Sequence, residues 1–348
     1  MNIPPILKPL NSSNLGVFKN RVVMSAMTRS FADDKHLCTD NISNYYERRA
    51  KSGVALILTE GIVIHPSGDG YNSVPHLFTN LHMESWRSTV ASVHKHHTQI
   101  YAQLWHCGRI SHSDFTGGFD VVSSTDRPAE GINRQNNKPY GKPARLKSTE
   151  IPNVYAMYVH SAKLAMQAGF DGIQIHMGHG YLVDQFFDAR INDRTDQYGG
   201  SIENRCRFAL ELCDEVIKSI GANKVMIRLS PSRMMNGLYE WPDLEPMINY
   251  LIPQLEKIGL RQLDISCANS NYFETSGKVI RKIRKIWPYL LIGGASLSIP
   301  DANKEVEDGN LDMVTWGRAI LANPDFVERV KKGEGLVDFN DSMRSTLY

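Results

Sequence analysis

The chain has 348 residues, 42% of them hydrophobic and 22% charged, with a formal net charge of +2, a make-up that suits a globular protein with a sizeable core. So small a positive excess argues against nucleic acid or an anionic membrane surface as partner, and it leaves any local positive charge to a small anionic ligand. The apolar runs are strand-sized, too short to span a bilayer.

The start, MNIPPILKPLNSSN, lacks a basic segment followed by an apolar run, so no secretory signal is expected. The five cysteines, Cys38, Cys107, Cys206, Cys213 and Cys267, form no C-x-x-C pair. Their odd number fits free thiols in a reducing compartment, and the expected location is the cytoplasm.

Eight apolar runs without polar alternation predict strands over 21–26, 54–60, 99–105, 172–176, 224–230, 262–266, 289–294 and 312–317. Such runs are expected of a parallel sheet covered on both faces. Between them, periodicity predicts helices over 41–51, 83–97, 153–168, 202–219, 244–258, 277–286, 299–308 and 324–332. In the fourth, Leu210, Cys213, Ile217 and Ile220 fall on one face. Pro300 and Pro324 sit near helix starts, where a missing N–H is harmless. The alternation predicts an α/β fold, a (β/α)8 barrel, with residues 1–348 as a single domain. A doubly wound sheet is the alternative, but no G-x-G-x-x-G follows any strand. Residues 107–152, rich in Gly, Ser, Asn, Arg and Pro, make a long connection after strand three that is expected to cap the pocket.

Polar groups and glycines gather at the strand ends. Strand one leads to Thr28, strand two to Gly61, strand three to Gln103 and His106, and strand four to His176 and His179. Strand five leads to Arg228, strand seven to Gly293-Gly294 and strand eight to Gly317-Arg318. Loops after the last two strands of such barrels bind phosphate through backbone N–H groups, and a guanidinium fork suits the same anion. Gln103 and Arg228, set in apolar strands, point to a polar, partly anionic ring. Flavin mononucleotide satisfies both demands. His176, His179 and Tyr181 together can hold an oxyanion and deliver a proton. Two close histidines also raise a zinc site, but neither an H-E-x-x-H helix nor a cysteine partner supports it, so no metal is expected. The charged run Arg190, Asp193, Arg194, Asp196 and Arg205 reads as structural pairs and caps.

The segment GIQIHMGHGYLVDQFFDARINDRTDQYGGSIENRCRF (172–208) closely resembles the signature of the Old Yellow Enzyme family of FMN-dependent ene-reductases. RVVMSAMTRS, ALILTEGIVIHPSGDGY, YAQLWHCGR, VMIRLSP and GRAILANPDFVERV resemble further segments of that family in the same order. With no cysteine cluster after the barrel, the resemblance is to the single-domain branch. It implies non-covalent FMN, NADPH or NADH as reductant, and activated alkenes such as α,β-unsaturated carbonyls and nitroalkenes as small-molecule substrates of a monomer or homodimer. It further implies flavin contacts at Ala26, Met27, Thr28, Gly61, Gln103 and Arg228, and phosphate contacts at Gly294, Ala295, Gly317 and Arg318. His176 and His179 would bind the substrate's electron-withdrawing group, Tyr181 would donate the proton and Tyr71 would line the pocket. Ala26-Met27-Thr28 stands where the family often has Pro-Leu-Thr. Met177-Gly178 replaces a commoner pair of small residues. The second donor is histidine, where the family uses histidine or asparagine. Two rivals remain at this level: a barrel lyase or aldolase acting on a phosphorylated substrate, and a flavin-binding protein without turnover.

Overall fold

A parallel ladder of Val, Ile and Leu needs cover on both faces, and this chain supplies it by closing the ladder on itself. The computed structural model describes residues 3–12, 15–234, 237–267 and 270–348. Eight parallel strands form a closed barrel: β1 (Val22–Met24), β2 (Leu56–Val63), β3 (Gln99–Trp105), β4 (Gly172–His176), β5 (Val225–Leu229), β6 (Gln262–Ile265), β7 (Leu290–Ala295) and β8 (Met313–Trp316). Neighbours in sequence pair in space, and β8 returns to β1. The outer layer comprises α1 (Asp40–Lys51), α2 (Asn80–His94), α3 (Ile151–Ala168), α4 (Leu182–Phe187), α5 (Ile202–Ile220), α6 (Leu244–Lys257), α7 (Ser276–Arg284), α8 (Ile299–Glu307), α9 (Arg318–Ala322) and α10 (Phe326–Lys332). The (β/α)8 expectation holds.

Local chemistry sets the ends. Thr39, Thr79, Ser201 and Ser298 each accept a backbone N–H three residues on, capping α1, α2, α5 and α8. Pro300 lies in the first turn of α8. The lower barrel interior is apolar: Val23, Leu56, Leu58, Tyr101, Met226, Leu290, Ile292 and Met313 pack with Phe18, which an N-terminal hairpin (Leu10–Ser12 with Gly16–Phe18) brings to them. Further along the same strands the lining turns polar, with Gln103 after Tyr101 and Arg228 after Met226. Gln174 stands in register with Gln103, and Asp264 with Arg228.

Several expectations need correction. Predicted strand two stops at Glu60, but β2 runs on to Val63 through a bulge: from Leu58 to Gly61 it advances three residues while β3 advances two, from Tyr101 to Gln103. Gly293 and Gly294 lie inside β7, not after it. Helix two starts and ends three residues earlier than its periodicity suggests. The α4 helix is too short to show a period. The predicted last helix is α10, which begins two residues after Pro324; the short α9 before it was not predicted. On α5 the buried stripe is Cys206, Ala209, Cys213 and Val216, while Leu210, Ile217 and Ile220 are half-buried at its edge. The connection after β3 carries two short strand pairs, Val122–Ser123 with Ala144–Arg145 and Ile132–Asn133 with Lys138–Pro139. Among the described residues, no helix is long and apolar enough to cross a membrane. All five cysteines are buried and free.

Gly172 opens β4 where a methyl group would lie 2.7 Å from the Tyr101 ring and 2.8 Å from the Lys224 carbonyl. Gly172→Ala is expected to cost about 1–3 kcal/mol in a denaturant titration through overpacking. Gly335→Ala, with nothing within 4 Å of the added carbon, should leave the midpoint unchanged.

Candidate active site

The turn after β4 is built by its neighbours. A Cβ on Gly178 would lie 2.4 Å from Ser230 Oγ, so the Met177-Gly178 pair lets β4 and the end of β5 close together. Ser230 Oγ accepts from His179 N (2.6 Å). His179 takes φ +58° and Gly180 φ +82°, a left-handed pair that reverses the chain; for a side-chain-bearing residue this conformation costs about 1–3 kcal/mol. The cost is offset by Asp184, whose Oδ2 accepts from Gly180 N (2.7 Å) and pairs with Arg233 (2.9 Å) while its Oδ1 accepts from Trp241 Nε1 (3.0 Å). Gln185 donates to the carbonyls of Gly180 and Cys107 and accepts from Ser123 Oγ (2.8 Å). It therefore joins this turn to the capping connection.

Gly178 N donates to His176 Nδ1 (3.3 Å), which puts the ring proton on Nε2. That Nε2 lies 3.4 Å from His179 Nδ1, so the proton on His179 falls on its own Nε2. No described residue partners that atom, buried as it is. Burial holds both imidazoles well below the ordinary histidine range, and Arg228 and Arg233 push the same way. Both are neutral; His179 keeps a free N–H, and that of His176 is directed at His179 Nδ1.

Tyr181 Oη and Tyr71 Oη are 2.8 Å apart. Burial first, then Tyr71 and Cys107, raise the Tyr181 phenol well above its usual value. Trp105 is the common wall, with ring centroids 4.8 Å from Tyr71, 4.9 Å from Tyr181 and 6.5 Å from His176. It needs Gly61 beside it, because a Cβ there would meet the indole at 2.3 Å. Asp69 fixes Tyr71, accepting from the N–H groups of Gly70 (2.7 Å) and Tyr71 (3.1 Å) and from His76 Nε2 (2.8 Å).

The other predicted residues form the adjoining half. Gln103 and Arg228 are buried in the upper barrel. Arg228 reaches the Ala26 carbonyl (3.4 Å) and Ser266 Oγ (2.5 Å). Met27 packs 3.1 Å from where a Cβ on Gly317 would stand, and a Cβ on Gly294 would meet the Thr315 carbonyl at 2.2 Å. Thr28 and Arg318 are exposed on this rim. Ala295 ends β7; its side chain lies outside the described residues. Arg190, Arg194 and Arg205 pair with Asp188, Asp196 and Asp243 and serve structure.

Sequence reading passed over Glu60. The β2 bulge turns it so that Oε2 accepts from Arg29 N (3.0 Å) and Ser30 N (3.1 Å), pinning the Ala26–Thr28 segment. Burial pushes its carboxyl up to about 7, against those two bonds and the Arg29 charge. Only an unpredictable bulge brings it there. Gln174 and Asp264 were also missed, since each reads as an isolated polar residue in an apolar strand.

The chain matches the NADH:flavin oxidoreductase / NADH oxidase family over residues 5–336. It belongs to that family, the Old Yellow Enzymes. 12-Oxophytodienoate reductase 1 of Oryza sativa subsp. japonica is 35% identical over 349 residues, covering 99% of this chain and 90% of the rice protein. 12-Oxophytodienoate reductase 2 of Arabidopsis thaliana is 33% identical over 356 residues, covering 99% and 92%. The solved structure of an Old Yellow Enzyme homologue from Zymomonas mobilis superposes with a TM-score of 0.91 at 29% identity, covering 99% of this chain and 97% of that one. This Old Yellow Enzyme is an FMN-dependent oxidoreductase that uses NAD(P)H and reduces activated alkenes; the lyase and the inert flavin carrier are set aside. The residues present fit FMN: Arg228 Nε is a buried donor without a hydrogen-bond partner among the described residues, in the upper barrel where the Gln103 amide is also buried.

Neutral imidazoles and a protonated phenol predict a kcat/KM for enone reduction that is flat between about pH 6.5 and 9, within the interval between the ordinary histidine and tyrosine values. The sign for stability is separate. Both histidines have folded values below their unfolded ones, so their contribution is complete above about pH 6.5 and is lost as the pH falls from there. Tyr71→Phe removes the partner of Tyr181 and should slow alkene reduction about fivefold, the worth of about 1 kcal/mol for one hydrogen bond, with flavin reduction by NADPH unchanged in stopped flow.

Proposed function

We propose that His176 and His179 hold the carbonyl or nitro oxygen of an activated alkene and that Tyr181 protonates its α-carbon. The observation that carries this reading is a free buried N–H on neutral His179, with neutral His176 hydrogen-bonded to it, beside a protonated phenol at one strand end. When bound, FMN supplies the hydride chemistry, and the protein supplies orientation and electrostatics. As the β-carbon is reduced, negative charge grows on the oxygen, and pre-placed donors stabilise it without reorganisation. Tyr181 passes its proton to the α-carbon, and its hydrogen bond to Tyr71 holds the phenol in place for that transfer. One C=C bond is reduced with one NAD(P)H and one proton consumed.

On the same reading, Ala26, Met27, Thr28, Gly61, Gln103 and Arg228 border the flavin ring, and Gly294, Ala295, Gly317 and Arg318 receive its phosphate. Tyr71 lines the substrate side. We take residues 1–348 as one FMN-binding unit, and the buried free thiols support a reducing, cytoplasmic location.

The test is a visible spectrum of the purified protein under anaerobic conditions, with NADPH and then 2-cyclohexenone added. A yellow band that bleaches and then returns is expected. A colourless protein that takes up no FMN would sink the reading. Tyr181→Phe should still bleach with NADPH but reoxidise with the enone about 10²–10⁴-fold more slowly, the usual worth of a general acid. His176→Ala/His179→Ala should lose affinity for phenolic ligands in a spectral titration.

A further inference from the structure

A buried relay joins two of the residues that border the proposed flavin site. Gln103 Nε2 donates to Gln174 Oε1 (2.7 Å), and Gln174 Nε2 donates to Asp264 Oδ2 (3.0 Å). The same Oδ2 lies 3.6 Å from Arg228 Nε. Gln174 and Asp264 are fully buried, and Gln103 and Arg228 nearly so.

An amide shows oxygen on one side and nitrogen on the other, and nothing in its shape decides which faces where. A carboxylate decides it, because it only accepts. With Asp264 at one end, Gln174 must turn its nitrogen toward the carboxylate and its oxygen toward Gln103. Gln103 then commits one N–H to Gln174 and presents Oε1 and its second N–H elsewhere. The carboxylate acts on Arg228 as well. Its Oδ1 has no hydrogen-bond partner among the described residues, and an unpaired buried carboxylate is costly, so the guanidinium 3.6 Å away is the charge that favours its ionised form. Burial pushes its carboxyl up, while Arg228 and Gln174 draw it back.

We propose that Asp264 is a positioning residue for the flavin: it fixes the direction of the Gln174–Gln103 amides and offsets part of the Arg228 charge, lowering the flavin's reduction potential. This rests on the reading that Gln103 and Arg228 border FMN. A cation beside the ring favours the more negative, reduced form, so weakening that cation's field disfavours reduction.

The experiment compares wild type, Asp264→Asn and Gln174→Met by spectroelectrochemical titration of the FMN-loaded proteins and by FMN titration of the apoproteins. Asp264→Asn removes the charge at constant shape. Its midpoint potential should rise by about 30 mV, a tenfold higher ratio of reduced to oxidised flavin at fixed potential for a two-electron couple. Gln174→Met cuts the relay and leaves the Asp264–Arg228 pair. It should keep the wild-type potential while the FMN Kd rises about tenfold, the scale of one misdirected hydrogen bond. A wild-type potential in Asp264→Asn, or a wild-type Kd in Gln174→Met, overturns the proposal. If Asp264→Asn does not fold, the Kd of Gln174→Met decides alone. A wild-type apoprotein that takes up no FMN defeats the site reading itself, and this proposal with it, before any variant is made.

Discussion

Parallel strands buried on both faces leave few places for polar side chains, and the chemistry of this protein is confined to one of them. The lower barrel is filled by Leu, Ile, Met and Tyr, with Phe18 packed among them. Only toward the C-terminal ends of the strands does the interior accept Gln103, Gln174, Arg228 and Asp264. These groups are costly to bury singly and tolerable as a connected set. The site is thus a consequence of barrel closure: the same event that removes sheet edges forces the polar ends of eight strands to face one another.

Around that rim the parts hold each other through few, directed contacts. Glu60 ties the segment after β1 to β2 because a bulge re-aims it. Arg29, the next residue along that segment, donates through Nη2 to the carbonyls of Met343, Arg344 and Thr346 and so anchors the C-terminal stretch to the same place. Gln185 does the equivalent for the connection after β3, engaging Ser123 and Ser124 on one side and Gly180 on the other. The long connection is therefore part of the structure that sets the turn bearing His179 and Tyr181.

Much of this could be read from the residues. Continuous apolar runs announce buried parallel strands because packing on both faces leaves no room for alternation, and the strand-end histidines, glycines and arginine stand where a barrel gathers them. What escaped notice depends on register and on local exceptions. Glu60 gains its role from one extra residue in β2. Gln174 and Asp264 matter because parallel pairing sets them beside Gln103 and Arg228. The α4 and α9 helices are each shorter than two turns, too short to show a period. The α5 stripe was misplaced by a fraction of a turn, since Leu210 and Ile217 are apolar yet sit at the margin of the contact.

The left-handed backbone at His179 narrows what selection can try there. Glycine tolerates that conformation freely but brings no donor; Asn, Asp and His are the side-chain-bearing residues most often found in it. If His179 holds the substrate oxygen as proposed, an aspartate there would set a negative charge against an oxygen that becomes negative. On that reading asparagine and histidine alone satisfy both the backbone, φ +58° at this position, and the chemistry, so a two-letter alphabet is expected there.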